Sequence, residues 1–285
     1  MVPREFSLWR RLRRQAITRL RGAHAYWRHE ARSAPELPSL RSLKGSGRGQ
    51  RCVIMGGGPS LKRCDPELLR GEVTFGVNGI YLIEDWLGFL PTYYVVEDAL
   101  VVEDRAEEIG HLEGPVKIYS PMYRKRIPEH GDLRYARILY DYAEYSGFPN
   151  FSHDAARYMW VGGTVSYLCL QLAYYMEFDP VVLVGFDHSY ATPPDITRAE
   201  NVNEWTSNSD DPNHFHPDYF GKGKRWHAPR TDRMELAYLR AEEEFRKAGR
   251  RVINATEGGK LEVFERVPFD MLFAEKRVFA EKRPS

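Results

Sequence analysis

Short apolar runs recur along the chain from residue 51 onward, and several are followed by a polar or glycine-containing turn and then by apolar residues at helical spacing. The apolar runs predict buried strands at residues 52–55, 73–77, 92–96, 116–119, 138–140, 181–184 and 251–254. Apolar steps of three and four predict helices at residues 59–70, 99–109, 164–176 and 231–248. This alternation is typical of an α/β fold with a Rossmann-like, mostly parallel sheet and helices on both faces.

The first fifty residues have a different pattern. Over residues 6–32, apolar side chains recur at steps of three and four while arginines occupy many of the other positions, which predicts a basic amphipathic helix. Such a helix either lies on an anionic membrane surface or docks on its own domain or on a partner subunit. Residues 33–50 are rich in Pro, Ser and Gly and predict a linker with little fixed structure. We therefore divide the chain into residues 1–50, with the basic helix and the linker, and a Rossmann-like domain over residues 51–285.

Charge and composition limit the partners and the compartment. The chain of 285 residues has a net charge of +1, but residues 1–50 carry +9 and the remainder carries −8. The acidic remainder would repel a polyanion, so we expect no nucleic-acid partner. Three cysteines without a CxxC pair suggest neither a disulfide framework nor a zinc site. The apolar runs are too short to cross a bilayer, so we expect a cytoplasmic protein, or one peripheral to the inner face of the membrane.

The stretch RCVIMGGGPSL, residues 51–61, predicts a buried strand that enters a glycine-rich turn and a helix start. Gly56, Gly57 and Gly58 tolerate positive φ and place no Cβ between the backbone and a ligand, and Ser60 adds a hydroxyl. Such a loop offers N–H groups to an anion, and we expect that anion to be a nucleotide phosphate. The third glycine of the dinucleotide pattern and the G-K-[ST] of a P-loop are both missing.

Polar residues follow the next two predicted strands. Asn78 follows residues 73–77, where an NAD-binding sheet would place an acidic residue, and an amide there suits a base or ribose edge. Glu97 and Asp98 follow residues 92–96. This carboxylate pair could hold a divalent cation on diphosphate oxygens or bind sugar hydroxyls, and it could equally be an acidic helix start.

Two further segments carry candidate chemistry in the second half of the chain. Gly163 and Thr164 open an apolar, buried helix, either as a second phosphate-binding element or for close packing. The strand at residues 181–184 leads to Asp187, a candidate catalytic carboxylate, and then to Tyr190. Asp187 and Tyr190 are candidates because ligands lie outside the carboxyl ends of parallel strands.

Residues 191–225 form a long polar stretch with several aromatic residues and histidines, which predicts a lid over the substrate. Within it, His214, His216 and Asp218 could suggest a metal site, but their spacing supplies no predictable third and fourth ligand. His227 precedes a helix with a D-x-x-E capping pattern, so its backbone is expected to be held in place. A histidine at the rim of a nucleotide site can take a proton from an attacking hydroxyl.

Four ordered blocks, VIMGGGPSLKRCD, GVNGIYLIED, GGTVSYLCLQLAYYMEFDPVVLVGFDHSY and WHAPRTDRMELAYLRAEEEFRKAGRRVINAT, resemble the 6-hydroxymethylpterin diphosphokinase MptE-like family. More distantly they resemble bacterial sialyltransferases that use CMP-sialic acid. The resemblance covers residues 51–256 and implies a nucleotide-dependent transferase. In the sialyltransferase-like pattern, specific positions hold the nucleotide, its leaving phosphate and the catalytic histidine, which correspond here to Gly57, Gly58, Ser60, Asn78, Gly163, Thr164, Tyr190 and His227. Glu97 and Asp98 depart from that pattern, which leaves the donor open.

These residues support three hypotheses. The first is an inverting glycosyltransferase of surface-glycan assembly that takes a nucleotide-sugar donor and a glycan or glycolipid acceptor, with no tightly bound cofactor. The second is a diphosphokinase that transfers pyrophosphate from ATP to a hydroxymethylpterin, with Mg²⁺ held by Glu97, Asp98 or Asp187. The third is a non-catalytic nucleotide-binding module.

Overall fold

A computed structural model describes residues 39–140, 148–192, 195–198 and 204–274. The predicted amphipathic helix at residues 6–32 lies outside the described residues. The strands within them are β1 Cys52–Met55, β2 Val73–Val77, β3 Tyr93–Val95, β4 Val116–Tyr119, β5 Leu133–Tyr135, β6 Ile138–Leu139, β7 Met159–Trp160, β8 Val181–Val184, β9 Ile196–Arg198, β10 Glu204–Ser207, β11 Arg225–His227, β12 Val252–Asn254 and β13 Glu265–Arg266. The α-helices are α1 Pro66–Leu69, α2 Glu84–Leu87, α3 Ala99–Gly110, α4 Val165–Tyr175, α5 Thr231–Lys247 and α6 Phe269–Leu272.

Eight of these strands form one parallel sheet in the order β13-β12-β8-β1-β2-β3-β4-β5. The chain builds outward from β1 to β5 on one side and then places β8, β12 and β13 on the other. The strand order therefore reverses between β1 and β8, which is where ligands bind in open sheets of this kind. The predicted α/β, Rossmann-like fold is confirmed.

Alternate residues of the central strands pack on opposite faces of the sheet. On β1, Cys52 and Ile54 join the cluster that includes α4 and α5, whereas Val53 and Met55 join the cluster that includes α1 and α3. Both faces are buried, so the central strands are apolar throughout. Nearly every residue of α4 is buried, as its apolar sequence predicts, because α4 lies against the sheet and α5.

The helix predicted at residues 59–70 is not continuous. A 3₁₀ helix covers Pro59–Arg63, and α1 begins separately at Pro66 after an N-cap at Asp65. Proline disfavours the α conformation in the residue before it and lacks an N–H, so the first helix ends ahead of Pro66. The glycine-rich loop is therefore followed directly by one short turn of 3₁₀ helix and not by a long helix.

Two other predictions need correction. The strand predicted at residues 138–140 is β6, which pairs with β7 in a separate two-stranded sheet, while the missed strand β5 forms the edge of the main sheet. Residues 39–50 are packed instead of having little fixed structure. Leu40 is buried, and the N–H of Gly47 donates to the Met176 carbonyl at 2.7 Å.

The predicted lid contains regular structure that the sequence pattern did not reveal. Within its described part, β9, β10 and β11 form an antiparallel sheet. Two aromatic side chains that follow β10, Phe215 and Tyr219, are buried against the rest of the domain. Arg105 of α3 is also buried and donates to the carbonyls of Asp218 and Tyr219, which ties this segment to the sheet's helical layer.

Candidate active site

A cleft of about 460 Å³ opens at the carboxyl ends of β1, β2, β3 and β8, at the reversal of strand order. Its lining brings together eleven of the twelve residues for which the sequence predicts a catalytic, nucleotide-binding or substrate-binding role: Gly56, Gly57, Gly58, Asn78, Glu97, Asp98, Gly163, Thr164, Asp187, Tyr190 and His227. The twelfth, Ser60, is buried beneath the glycine loop. Segments far apart in sequence therefore converge as the strand-end rule predicts.

The three glycines of the loop are required for close approach. A Cβ on Gly56 would lie 2.5 Å from the Gly185 carbonyl oxygen, and one on Gly57 would lie 2.7 Å from Cδ2 of His214. A Cβ on Gly58 would lie 1.8 Å from Oδ2 of Asp187. None of the three glycines has a positive φ, so glycine is required there by the space that a Cβ would fill and not by a left-handed backbone. The loop is tightly enclosed by the segment after β8 and by the lid.

Asp187 is held against the glycine loop by Ser60. Its Oδ2 accepts a hydrogen bond from Oγ of Ser60 at 2.6 Å and another from the Ser60 N–H at 3.3 Å. The hydroxyl and the N–H of Ser60, which the sequence predicts to bind a phosphate, therefore donate to the Asp187 carboxylate. Asp187 still lines the cleft and places a negative charge beside the loop.

Asn78 lines the cleft and has a left-handed backbone and a buried side-chain oxygen. Its backbone has a φ of +48°, a left-handed conformation that asparagine tolerates better than most residues, and Oη of Tyr94 donates to its carbonyl at 2.6 Å. Its side-chain Oδ1 is buried without a hydrogen-bond partner among the described residues. Because a buried acceptor is costly when unpaired, a ligand N–H or O–H is well suited to this position.

The start of α4 forms another wall of the cleft. Gly163 has a φ of +81°, and Oγ1 of Thr164 accepts from the Ser166 N–H at 3.3 Å as the N-cap. A Cβ on Gly163 would lie 3.4 Å from Cβ of Arg233, another residue of the cleft lining. A helix N-terminus beside an arginine is favourable for an anion.

His227 and Asp98 form a hydrogen-bonded pair at the cleft. Nδ1 of His227, the last residue of β11, lies 3.2 Å from Oδ2 of Asp98. The other Asp98 oxygen accepts from the Leu100 N–H at 2.8 Å and caps α3, which fixes the carboxylate. The hydrogen bond to Asp98, together with the charge of that carboxylate, raises the pKa of His227 above its ordinary value. Since Nδ1 is engaged, Nε2 is the nitrogen that can serve a substrate.

Glu97 is partly buried beside this pair. Burial, followed by the neighbouring charge of Asp98, raises the pKa of Glu97 to about 7. Oη of Tyr123 donates to the Glu97 carbonyl at 2.7 Å and holds the backbone between β3 and α3. The two adjacent carboxyl groups therefore differ. Asp98 is hydrogen-bonded to His227 and to the first turn of α3, whereas the pKa of about 7 favours the protonated form of Glu97 below neutral pH.

Comparisons with known proteins identify the family. Residues 27–193 match the model of the family described as 6-hydroxymethylpterin diphosphokinase MptE-like, which is more than half of the chain. The chain belongs to the MptE-like family. Membership supports a nucleotide-related enzyme of the transferase type, without specifying the group that is transferred.

A solved structure is also similar to this chain. The solved structure of the MAf glycosyltransferase from Magnetospirillum magneticum AMB-1 is 17% identical, with a TM-score of 0.47, over 85% of this chain and 38% of that one. This MptE-like chain thus spans well under half the length of that structure. A comparison with curated proteins returns no match.

Several residues of the MptE-like cleft have no predicted role in binding or catalysis. They are His188, His214, Tyr219, Arg233 and Tyr238. The spacing of His214 suggests a weak metal ligand, but its partner in the structure is Asp211. The D-x-x-H spacing of this pair was the available signal, although the same spacing is common in turns without function.

Neither a metal site nor a membrane-spanning helix is found in residues 39–140, 148–192, 195–198 and 204–274. There, no group of three or more His, Cys, Asp or Glu side chains is arranged to hold a metal ion. No helix in the same ranges is long and apolar enough to cross a membrane.

Proposed function

We propose that the protein is an inverting glycosyltransferase that uses a nucleotide-activated sugar, with a CMP-linked sugar as the first donor to test. The observation that carries the proposal is the His227–Asp98 pair on a cleft that also holds Asn78, the glycine loop and the start of α4. A base, a nucleotide edge and an anion-binding wall on one cleft are the parts that such a reaction needs.

The chemistry follows from the geometry of the pair. Nε2 of His227 takes the proton of an acceptor hydroxyl as its oxygen bonds to the anomeric carbon of the donor sugar. The bond from that carbon to the phosphate oxygen breaks, and its electron pair stays on the phosphate, which is the leaving group. Asp98 stabilises the imidazolium that forms and keeps the ring oriented. Attack opposite to the leaving phosphate inverts the anomeric centre.

Anion-binding groups lie on the same cleft. The N-terminus of α4 and Arg233 are positioned to stabilise the negative charge that develops on the phosphate. Tyr190 is partly exposed on the lining and is suited to contact the same phosphate. The acceptor would be a glycan or glycolipid of the cell surface, reached from the cytoplasmic side, with residues 6–32 as the segment that meets the membrane or a partner subunit.

A second candidate is supported by the family description and by the carboxylate pair. In a diphosphokinase, Glu97 and Asp98 would hold Mg²⁺ together with phosphate oxygens of ATP. Hard oxygen ligands of this kind fit Mg²⁺, which needs only one or two carboxylates when the substrate supplies the rest. Here Glu97 would first have to lose the proton that its raised pKa retains near pH 7.

Thermal shift with a panel of nucleotides and sugar nucleotides, with and without Mg²⁺, separates these candidates. Stabilisation by CMP or CMP-sugars without metal supports the glycosyltransferase, and stabilisation only by ATP with Mg²⁺ supports the diphosphokinase. Tight binding of a nucleotide without turnover of any donor would support a binding module and refute both enzymes.

The role of His227 is tested with the donor that the panel identifies. We expect His227→Ala to lower kcat by at least about a hundredfold while the donor still binds, since general-base catalysis contributes roughly 10²–10⁴. His130→Ala is a matched control, because His130 is exposed and outside the cleft lining. Undiminished turnover by His227→Ala would remove this residue as the base.

A further inference from the structure

We propose that His214, held by Asp211, is a phosphate-binding residue of this cleft that contacts the donor's leaving phosphate through Nε2. The proposal rests on the proposed function for the identity of the ligand, a nucleotide phosphate. It adds a second histidine–carboxylate pair whose role differs from that of His227 and Asp98.

The pair is buried and fully connected on the carboxylate side. Nδ1 of His214 lies 2.7 Å from Oδ2 of Asp211, and the two side chains are 12% and 4% exposed. Asp211 also accepts from the N–H groups of Asn213 at 2.8 Å and Phe220 at 3.0 Å. Burial opposes ionisation, but these hydrogen bonds, that from His214 above all, lower the pKa of Asp211. Asp211 is thus a fixed carboxylate that orients the imidazole through Nδ1.

The ring is fixed directly over the glycine loop. It stacks on Tyr219 with ring centroids 4.1 Å apart and an interplanar angle of 5°. The Phe215 N–H donates to the Gly57 carbonyl at 3.0 Å, and the absence of a Cβ on Gly57 leaves the space that Cδ2 of His214 approaches. The imidazole therefore cannot turn away from the loop without breaking the stack on Tyr219 and the hydrogen bond to Asp211.

A phosphate at this loop requires a positive charge nearby. The Asp187 carboxylate lies against Gly58 and accepts the hydrogen bond of the Ser60 hydroxyl. The glycine loop therefore has fewer hydrogen-bond donors for a phosphate than its sequence predicts, and a negative charge lies beside it. Since Asp211 is the partner of Nδ1, Nε2 is the ring nitrogen of His214 left to share a proton with a phosphate oxygen. The phosphate leaves with the electron pair of the broken bond and is stabilised by its hydrogen bond with Nε2.

The two pairs differ in a way that suits two roles. His227 is 51% exposed, as expected of a base that must release its proton to solvent after each turnover. His214 is 12% exposed and packs against the rings of Tyr219 and Phe220, as expected of a group that stays fixed against a bound phosphate. One cleft therefore contains a histidine for the acceptor side of the reaction and another for the leaving-group side.

The test compares ligands that differ only in phosphate. Isothermal titration calorimetry with the full chain measures Kd for CMP, UMP, GMP and AMP, for their parent nucleosides, and for inorganic pyrophosphate. The variants are His214→Gln, and Asp211→Asn as a second variant that leaves the ring in place. His216→Gln is the matched control, because His216 lies on the same segment but outside the cleft lining. Circular dichroism confirms that each variant is folded.

We expect His214→Gln to weaken binding of the preferred nucleotide about tenfold or more, since hydrogen bonds to charged groups are the stronger ones. Binding of its nucleoside should change less than twofold, Asp211→Asn should resemble His214→Gln, and His216→Gln should match the wild type. Equal nucleotide affinity of His214→Gln and the wild type would overturn the proposal.

The outcome also separates this proposal from the proposed function. If pyrophosphate binds the wild type but not His214→Gln, while no nucleotide binds, the phosphate site stands and the nucleotide-sugar function fails. If neither pyrophosphate nor any nucleotide binds the wild type, both are refuted. If nucleotides bind the wild type more tightly than His214→Gln, but no donor is turned over, the phosphate site is supported and the transferase function is refuted.

Discussion

Replacing Glu97 by glutamine should stabilise the protein at alkaline pH and have little effect at acidic pH. Burial and the charge of Asp98 raise the pKa of Glu97 from an ordinary value of 4.5 to about 7. The folded state therefore favours the protonated carboxyl. Stability from this group is fully present below about pH 4.5 and is lost as the pH rises through about 7, because ionisation is then easier in the unfolded chain. Glutamine has nearly the same shape and cannot ionise.

The size of this stabilisation follows from the difference between the ordinary pKa of a glutamate and the raised pKa of Glu97. From 4.5 to about 7, at about 1.36 kcal/mol per pH unit, the cost of ionised Glu97 at pH 8 is roughly 3 kcal/mol. Relative to the wild type, Glu97→Gln should thus gain about 2–3 kcal/mol of unfolding free energy between pH 5 and pH 8. Comparison at each pH cancels the titration of the groups that both proteins share.

Urea denaturation at pH 5, 6, 7 and 8 measures this difference, provided that m is unchanged. Glu113→Gln is the control, since Glu113 is exposed and its replacement should give the same small difference at every pH. A difference between Glu97→Gln and the wild type that is constant within about 0.5 kcal/mol from pH 5 to pH 8 would show that Glu97 is not held protonated.

Three further predictions concern the rest of the cleft. Asp98→Asn should lower kcat at least about tenfold and move the acidic limb of the kcat/KM profile to lower pH, since the pKa of His227 is raised by Asp98; an unchanged limb would contradict this. Gly58→Ala should cost about 1–3 kcal/mol of unfolding free energy in urea, because its Cβ would lie 1.8 Å from the Asp187 carboxylate; a neutral result would show that the carboxylate moves freely. Arg105→Met should leave two lid carbonyls unpaired and speed limited proteolysis within residues 191–225; wild-type cleavage rates would show that this arginine does not hold the lid.

Much of the cleft could be predicted because the strand-end rule needs only the strands and the residues immediately after them. In a parallel sheet all strands end at the same edge, so Gly57, Asn78, Asp98 and Asp187 had to converge once β1, β2, β3 and β8 were recognised. Strands buried on both faces are continuous apolar runs, and these are easily found in a sequence. The same argument does not say which side chain will contact which.

The sequence pattern could not identify the partner of His227. His227 and Asp98 are 129 residues apart, and their hydrogen bond depends on the antiparallel lid sheet that places β11 beside α3. The short strands of that sheet have no clear alternation of polar and apolar residues. Its pairing is a long-range interaction that local propensity does not report.

The sequence by itself determined the α/β class, the buried helix α4 and the residues at the strand ends, because apolar periodicity and glycine content are local properties. Tertiary structure alone decided how the glycine loop is used. Its glycines make room for Asp187 and His214, which arrive from distant segments, and Ser60 binds a carboxylate of its own chain. The physical reason is that close approach depends on which atoms meet across the fold, and that is set by packing, not by the spacing of residues along the chain.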